Sequence, residues 1–376
     1  MGESFQTMLD YRELSATYRA APTMQGTPFT DLFFQNPEPT TADGVMVYRV
    51  GSVNKPAPGN TRGSNPRQLA SPSLDEIMFN LFYSFNELQI DARTLKFLRS
   101  TDANIQRVGR ELLDQQLGEA GRQQRMFREV VLQQVFAYGR VNLGADGQIL
   151  VPTVDAASGA ITNNASAQQV VDYGIKNNRR GDCGDVFGAA GGGFWDAADT
   201  QMFQQLENSR DEQLKAGSMP LTTVWMNRKR APALINNTQF KIYAAQNNLR
   251  NEAILAGIQG GALNNIWGFN FKFVEGYWTD SAGVQRPIIP MRQVLLTPDG
   301  TDWFRRKEGT EDVPTQVGIF NDFDAALASL KPVVGMFSFA QAIVTPKVKL
   351  SVYMGDNFGV GFPDPNAFWM PTVFSE

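Results

Sequence analysis

From Asp102 to Tyr138 the sequence carries one helical pattern, which at 1.5 Å per residue amounts to about 55 Å. Thr101-Asp102 supplies N-cap chemistry at its start, and Gly139 sits where a helix-ending glycine belongs. Ile105, Val108, Leu112, Leu113 and Leu117 mark one face, and Phe127, Val131, Val135 and Tyr138 resume it. Between them the stretch from Glu119 to Arg125 is nearly all polar, with Gly118 and Gly121 nearby. A helix of this length outruns the diameter of a small domain, so the pattern predicts a spine laid across a surface, bending at its sparse middle. It does not read as a core helix.

The flanking sequence predicts projecting parts. Residues 1 to 36 read as an extended arm with one helical patch near Phe5 to Tyr18, punctuated by Pro22, Pro28 and Pro37. Val45 to Val53 alternates as a strand does. Asn54 to Ser73 is dense in Gly, Pro, Asn and Ser, lacks core-forming side chains and reads as an exposed tip. Glu76 to Ile90 returns as β-type sequence, so the whole reads as a long hairpin that needs a partner surface. Val141 to Thr153 predicts a hairpin turning at Ala145-Asp146-Gly147. A second, mixed α/β unit follows from Leu221 to Pro290, with a hairpin turning at Asp280 to Gly283.

Composition narrows the chemistry. The 376 residues are 42% hydrophobic and 19% charged, enough for a full core in two or three compact units. No apolar run reaches membrane-spanning length, and the start has no apolar stretch after a basic cluster, so neither a membrane anchor nor a secretory signal is expected. There is no histidine, which removes Ser-His-Asp and Cys-His catalysis and His-ligated metals together. The single cysteine, Cys183, cannot form an intrachain disulfide, which fits a reducing cytoplasm. It lies between Asp182 and Asp185, a setting that disfavours a thiolate. The glycine-rich run Gly181 to Gly193 lacks the Gly-Lys-Ser/Thr of a phosphate loop and reads as a connector. No cofactor or metal is expected. A net charge of −4, with basic residues only in short clusters, predicts at most non-specific contact with DNA.

Several blocks together resemble the lambda-type (family E) major capsid proteins of tailed bacteriophages. They are Phe29-Thr30-Asp31-Leu32-Phe33-Phe34 followed by Thr40-Thr41 and a strand, Val171-Asp172-Tyr173-Gly174, and Phe194-Trp195-Asp196 with Asp199-Thr200. Later come Gly276-Tyr277 with Gly283, Pro287, Pro290 and Val294-Leu295, and then Pro363-Asp364-Pro365-Asn366. The resemblance implies an α+β tailed-phage capsid fold. Its parts would be an N-terminal arm (1–44) and an extended loop with its return (45–100, tip about 54–73). A peripheral domain (101–218 plus 335–376) and an axial domain (219–334) would complete it. It implies hexamers and pentamers forming an icosahedral head around double-stranded DNA, assembled in the host bacterial cytoplasm. Portal, separate scaffolding and decoration or cement proteins are the expected partners. Lys55, Arg62 and Arg67 at the loop tip, and Phe33 and Phe34 in the arm, are expected to meet neighbouring subunits. An encapsulin-like cargo shell shares these features. A carboxylate glycoside hydrolase needs only a pair of Asp/Glu, with Trp195, Trp267 and Trp278 available to stack on sugars, but no pair is marked by spacing.

Lys55 is the single lysine near the tip, with Asn54 or Asn357 as imaginable acceptors, and no carboxylate is marked to deprotonate it for an isopeptide bond. Boiled particles on a denaturing gel should give one band near 41.6 kDa, not a ladder.

Overall fold

The computed structural model describes residues 9–20, 27–50, 74–154, 161–175, 179–187, 193–300, 303–314, 330–345, 347–364 and 367–375. The predicted long helix spans Ala103–Tyr138 without interruption. Its start is capped as the sequence indicates: the Asp102 carboxylate accepts from the Asn104 amide at 2.8 Å. Its end is Gly139, in the left-handed region at φ 63°, whose amide donates to the Val135 carbonyl at 2.8 Å. Ile105 and Val108, expected on the apolar face, are instead exposed. Every residue from Arg128 to Ala137 is buried, including Glu129, Gln133 and Gln134. The helix is therefore a surface element at its beginning and a core element at its end, which corrects the uniform spine reading. A hydropathy pattern cannot reveal this, because the buried stretch carries charged and amide side chains that find partners inside.

The chain divides into two compact units. The first comprises residues 1–45, 79–128 and 306–360, and the second 46–78, 129–305 and 361–376. These lines run differently from a split of 101–218 plus 335–376 against 219–334. The first unit is built on a six-stranded sheet. Its longest strand, Lys347–Gly361, pairs antiparallel with Phe337–Thr345 on one side and with Phe82–Gln89 on the other. The segment Glu76 to Ile90 is thus two strands. Leu74–Asn80 joins Gly44–Val50 in a sheet of their own, and Phe82–Gln89 belongs to the large sheet. One face of that sheet presents Ala340, Leu350, Val352 and Met354 to a core completed by Leu14, Tyr18, Leu113 and Leu117.

The helix Tyr11–Ala20 belongs to this core and is not an extended arm. Ser15 Oγ accepts from the Ser338 amide at 3.0 Å and donates to the Ser338 carbonyl at 3.1 Å, so a hydroxyl occupies the place a further strand would take. Arg19 donates to the carbonyls of Met336 and Val334 at 2.6 and 2.9 Å. At Gly355 an added Cβ would lie 2.2 Å from the Phe337 ring, which packs directly over that backbone position.

The second unit carries a four-stranded sheet in the order Ala262–Ile266, Phe269–Val274, Leu221–Asn227, Val294–Pro298. The pairing of Leu221–Asn227 with Phe269–Val274 is parallel, and helices intervene between them in sequence, as the expected alternation requires. Trp195, Phe203, Leu206, Phe240, Phe271, Leu296 and Phe374 fill its core. The two short predicted hairpins are present, Arg140–Leu143 with Ile149–Leu150 and Tyr277–Thr279 with Gln285–Pro287. The latter turn is held by Asp280, which accepts from the amides of Ala282 and Val284.

Val131 is fully buried. Val131→Asp should place an unpaired charge there at a cost of several kcal/mol, against a total stability of about 5–15 kcal/mol. Circular dichroism of the subunit should show loss of cooperative melting.

Candidate functional site

Among the described residues no group of three Cys, Asp or Glu side chains is placed to hold a metal ion, and no helix is long and apolar enough to cross a membrane. Cys183 is buried against the Thr372 carbonyl, and burial, with Asp182 adding to it, pushes its thiol up to about 12. That is an inert structural thiol. Trp195 and Trp278 are buried, so the three tryptophans do not form a sugar platform.

The densest charged cluster is structural. Arg128, late in the long helix, is almost fully buried in the first unit and grips Asp356 with both arms of its guanidinium, Nε–Oδ2 at 2.6 Å and Nη2–Oδ1 at 2.5 Å. Nη2 also reaches Glu308 at 2.7 Å. Burial opposes the charge on Arg128, and the two carboxylates more than offset it, so its pKa is raised. The Asp356 carboxylate further accepts from Gln124, which accepts in turn from Ser84. The rings of Phe34 and Phe358 cover the guanidinium, with centroids 5.0 and 5.1 Å away. Burial also raises the Tyr18 pKa, with the Asp356 charge adding to it.

This arrangement bears on two of the expected contacts. Phe33 and Phe34 are 1% and 6% exposed. Their side chains are packed inside the subunit, Phe34 over Arg128. Lys55, Arg62 and Arg67 lie outside the described residues.

Exposed apolar surface concentrates elsewhere. On the open face of the six-stranded sheet, Tyr83, Phe85, Phe339 and Tyr353 form a stacked row. Phe85 lies 5.6 Å from Tyr353 at 5° between planes, and Phe339 5.4 Å from Tyr353. Tyr83 and Phe85 are each about half exposed. In the second unit Met46, Tyr48 and Met78, at the base of the predicted loop, face solvent while Val47 is buried. Arg49 ties that base down by donating to the Tyr173 carbonyl at 2.8 Å. The aromatic row escaped sequence reading because its members come from three strands. The aromatic content of the β-type stretch Glu76 to Ile90 was its one visible trace.

Two compact units and an exposed aromatic row are features a shell-building subunit would have. The comparisons decide the family. The model of phage major capsid protein E matches residues 10–318. The chain belongs to that family.

Among solved structures, a putative capsid protein of a prophage of E. coli CFT073 is similar at TM-score 0.57 and 13% identity, covering 97% of this chain and 99% of that one. A phage-related protein from Bordetella bronchiseptica RB50 aligns at TM-score 0.48 and 11% identity, covering 97% of each chain. The cyanophage A-1(L) capsid aligns at TM-score 0.49 and 10% identity, covering 95% of each. No curated protein matches the sequence. The family and the prophage capsid match at TM-score 0.57 give the α+β tailed-phage capsid fold, and the chain is a major capsid protein, a component of the virion shell. The encapsulin-like alternative is not favoured.

Replacing Arg128 by methionine should strand Asp356, which is fully buried. The subunit should lose roughly 3–5 kcal/mol in denaturant titration, and the paired change Arg128→Met with Asp356→Leu should recover much of it.

Proposed function

We propose that this capsid protein assembles as hexamers and pentamers into a closed icosahedral head around double-stranded DNA, in the cytoplasm of a bacterial host, without catalysing a reaction. The family match carries the reading. The charged cluster around Arg128 is consistent with it, because Asp356 and Glu308 are engaged there in a buried structural ion pair. The absence of histidine from the sequence points the same way. The net charge of −4 favours weak, non-specific contact with packaged DNA, since tight binding requires several cations neutralising phosphates. A portal and a separate scaffolding protein are the partners this reading expects, with room for a decoration or cement protein on the outside.

We further infer that the loop bearing Lys55, Arg62 and Arg67 serves the shell and not the subunit. Its sequence from Lys55 to Ser71 holds almost no core-forming side chain, and the cost of closing a loop varies only slowly with length. Exposed Met46, Tyr48 and Met78 at its base are apolar side chains that association would cover.

A short Gly/Ser bridge in place of Lys55 to Ser71 should leave the monomer's melting temperature nearly unchanged and abolish or strongly destabilise closed particles, read by calorimetry and electron microscopy of protein expressed with its neighbouring genes. An unfolded monomer, or particles as stable as wild type, would sink the assignment.

A further inference from the structure

The second unit exposes one residue whose position is hard to explain within the subunit. Trp267 and Gly268 are the central residues of the two-residue turn between Ala262–Ile266 and Phe269–Val274, where Ile266 pairs with Phe269. Both have positive φ, 54° and 75°. That is the geometry of a type I′ turn, whose first central position favours Asn because a bulky side chain is strained there. Trp267 stacks on Phe203, with centroids 5.2 Å apart and 6° between planes, and meets Tyr243 edge-on at 5.7 Å. The outer part of its indole remains uncovered, 45% exposed. Phe203 is itself nearly buried, so the stacking holds the indole upright without enclosing it.

The same unit has a matching hollow. A groove of about 890 Å³ lies between the helices Thr238–Gln246 and Asn251–Gln259, floored by Phe240, Ala244 and Ile254 and flanked by Leu249 and Leu255. A cavity of ~150 Å³ already accommodates benzene, so an indole fits with room to spare. Leu255 is half exposed on its wall. Lys241 and Arg250 at the rim are exposed and make no ion pair among the described residues, which suits the face of an incoming aromatic ring.

Knob and hollow occupy opposite flanks of one helix. At about 100° per residue, Lys241, Ala244 and Ala245 fall on the groove side of Thr238–Gln246, and Tyr243, against which Trp267 packs, falls on the other. A Trp267 therefore does not fill its own chain's groove, and two complementary patches on different sides of a subunit are what rotationally repeated copies require. We propose that Trp267 of one subunit inserts into the groove between Thr238–Gln246 and Asn251–Gln259 of the next, as a heterologous contact within the assembled shell. The occupant is a second copy, because the chain's own surface supplies both halves and its family assembles from copies of itself. Tryptophan is also the side chain most enriched among residues that dominate interface energies. This inference rests on the shell reading.

The test uses the full chain expressed with its neighbouring genes. Trp267→Asn removes the knob while giving the turn the residue it favours. Ala245→Trp, at an exposed groove position, fills the hollow from within. Both variants should fold with wild-type circular dichroism and melting, and both should raise the protein concentration needed for particle assembly by at least about tenfold. Mixed in equal amounts, they should form heterodimers by native mass spectrometry, since one intact knob still meets one intact groove, whereas neither does so alone. Assembly of folded Trp267→Asn at the wild-type concentration overturns the proposal, even if Ala245→Trp is impaired, because the groove then takes another occupant. Should Trp267→Asn not fold, wild-type assembly by Ala245→Trp overturns it alone. Failure of the wild-type chain to form particles would sink the shell reading instead, so the two failures are distinguishable.

Discussion

Arg128 brings a permanent positive charge into the interior of the first unit, and the surrounding structure is arranged to tolerate it. Desolvating a guanidinium costs several kcal/mol, so the charge is stable there only while Asp356 and Glu308 hold it, with Gln124 donating a further hydrogen bond to the Asp356 Oδ2 that Arg128 Nε also binds. Those partners come from different parts of the sheet. Asp356 lies on the longest strand and Glu308 on the strand Arg305–Pro314, and both must be in register with the helix for the cluster to close. Phe34 and Phe358 then shield it from water. One buried cation thereby fixes the helix, two strands and the segment after Pro28 in one arrangement, because a slip of any of them leaves an uncompensated charge.

The same constraint separates what serves the subunit from what remains for association. Phe33, Phe34 and the helix Tyr11–Ala20 are consumed inside, with Ser15 and Arg19 binding backbone carbonyls that would otherwise lie open along a sheet edge. Part of the apolar surface left outside is organised, as the aromatic row of the first unit and the upright indole of Trp267 in the second. Contiguous exposed aromatics of this kind mark surfaces meant to be covered.

Local signals were legible wherever the determinant is local. The long helix, its Asp102 cap and its Gly139 stop could be read because capping involves neighbours in sequence. The two hairpins could be read from turn residues for the same reason. Cys183 could be assigned as structural from its acidic neighbours, and burial adds the larger part of that effect. Ile105 and Val108 misled because periodicity reports which side of a helix is apolar, not whether anything lies against it. Glu76 to Ile90 was read as one strand because the break at Leu81 changes its partners without changing its β-type composition.

By itself the sequence determined the absence of histidine chemistry, the long helix and the resemblance to a capsid family, since each depends on residue identity or close spacing. Only the tertiary structure decided that Arg128 meets Asp356 across 228 positions, that Phe34 shields that pair, and that Trp267 stands exposed on one flank of a helix with a hollow on the other. The physical reason is the same throughout. Pairing of charges, enclosure of rings and the shape of a groove are set by distances between segments far apart in the chain, and no local pattern encodes those distances.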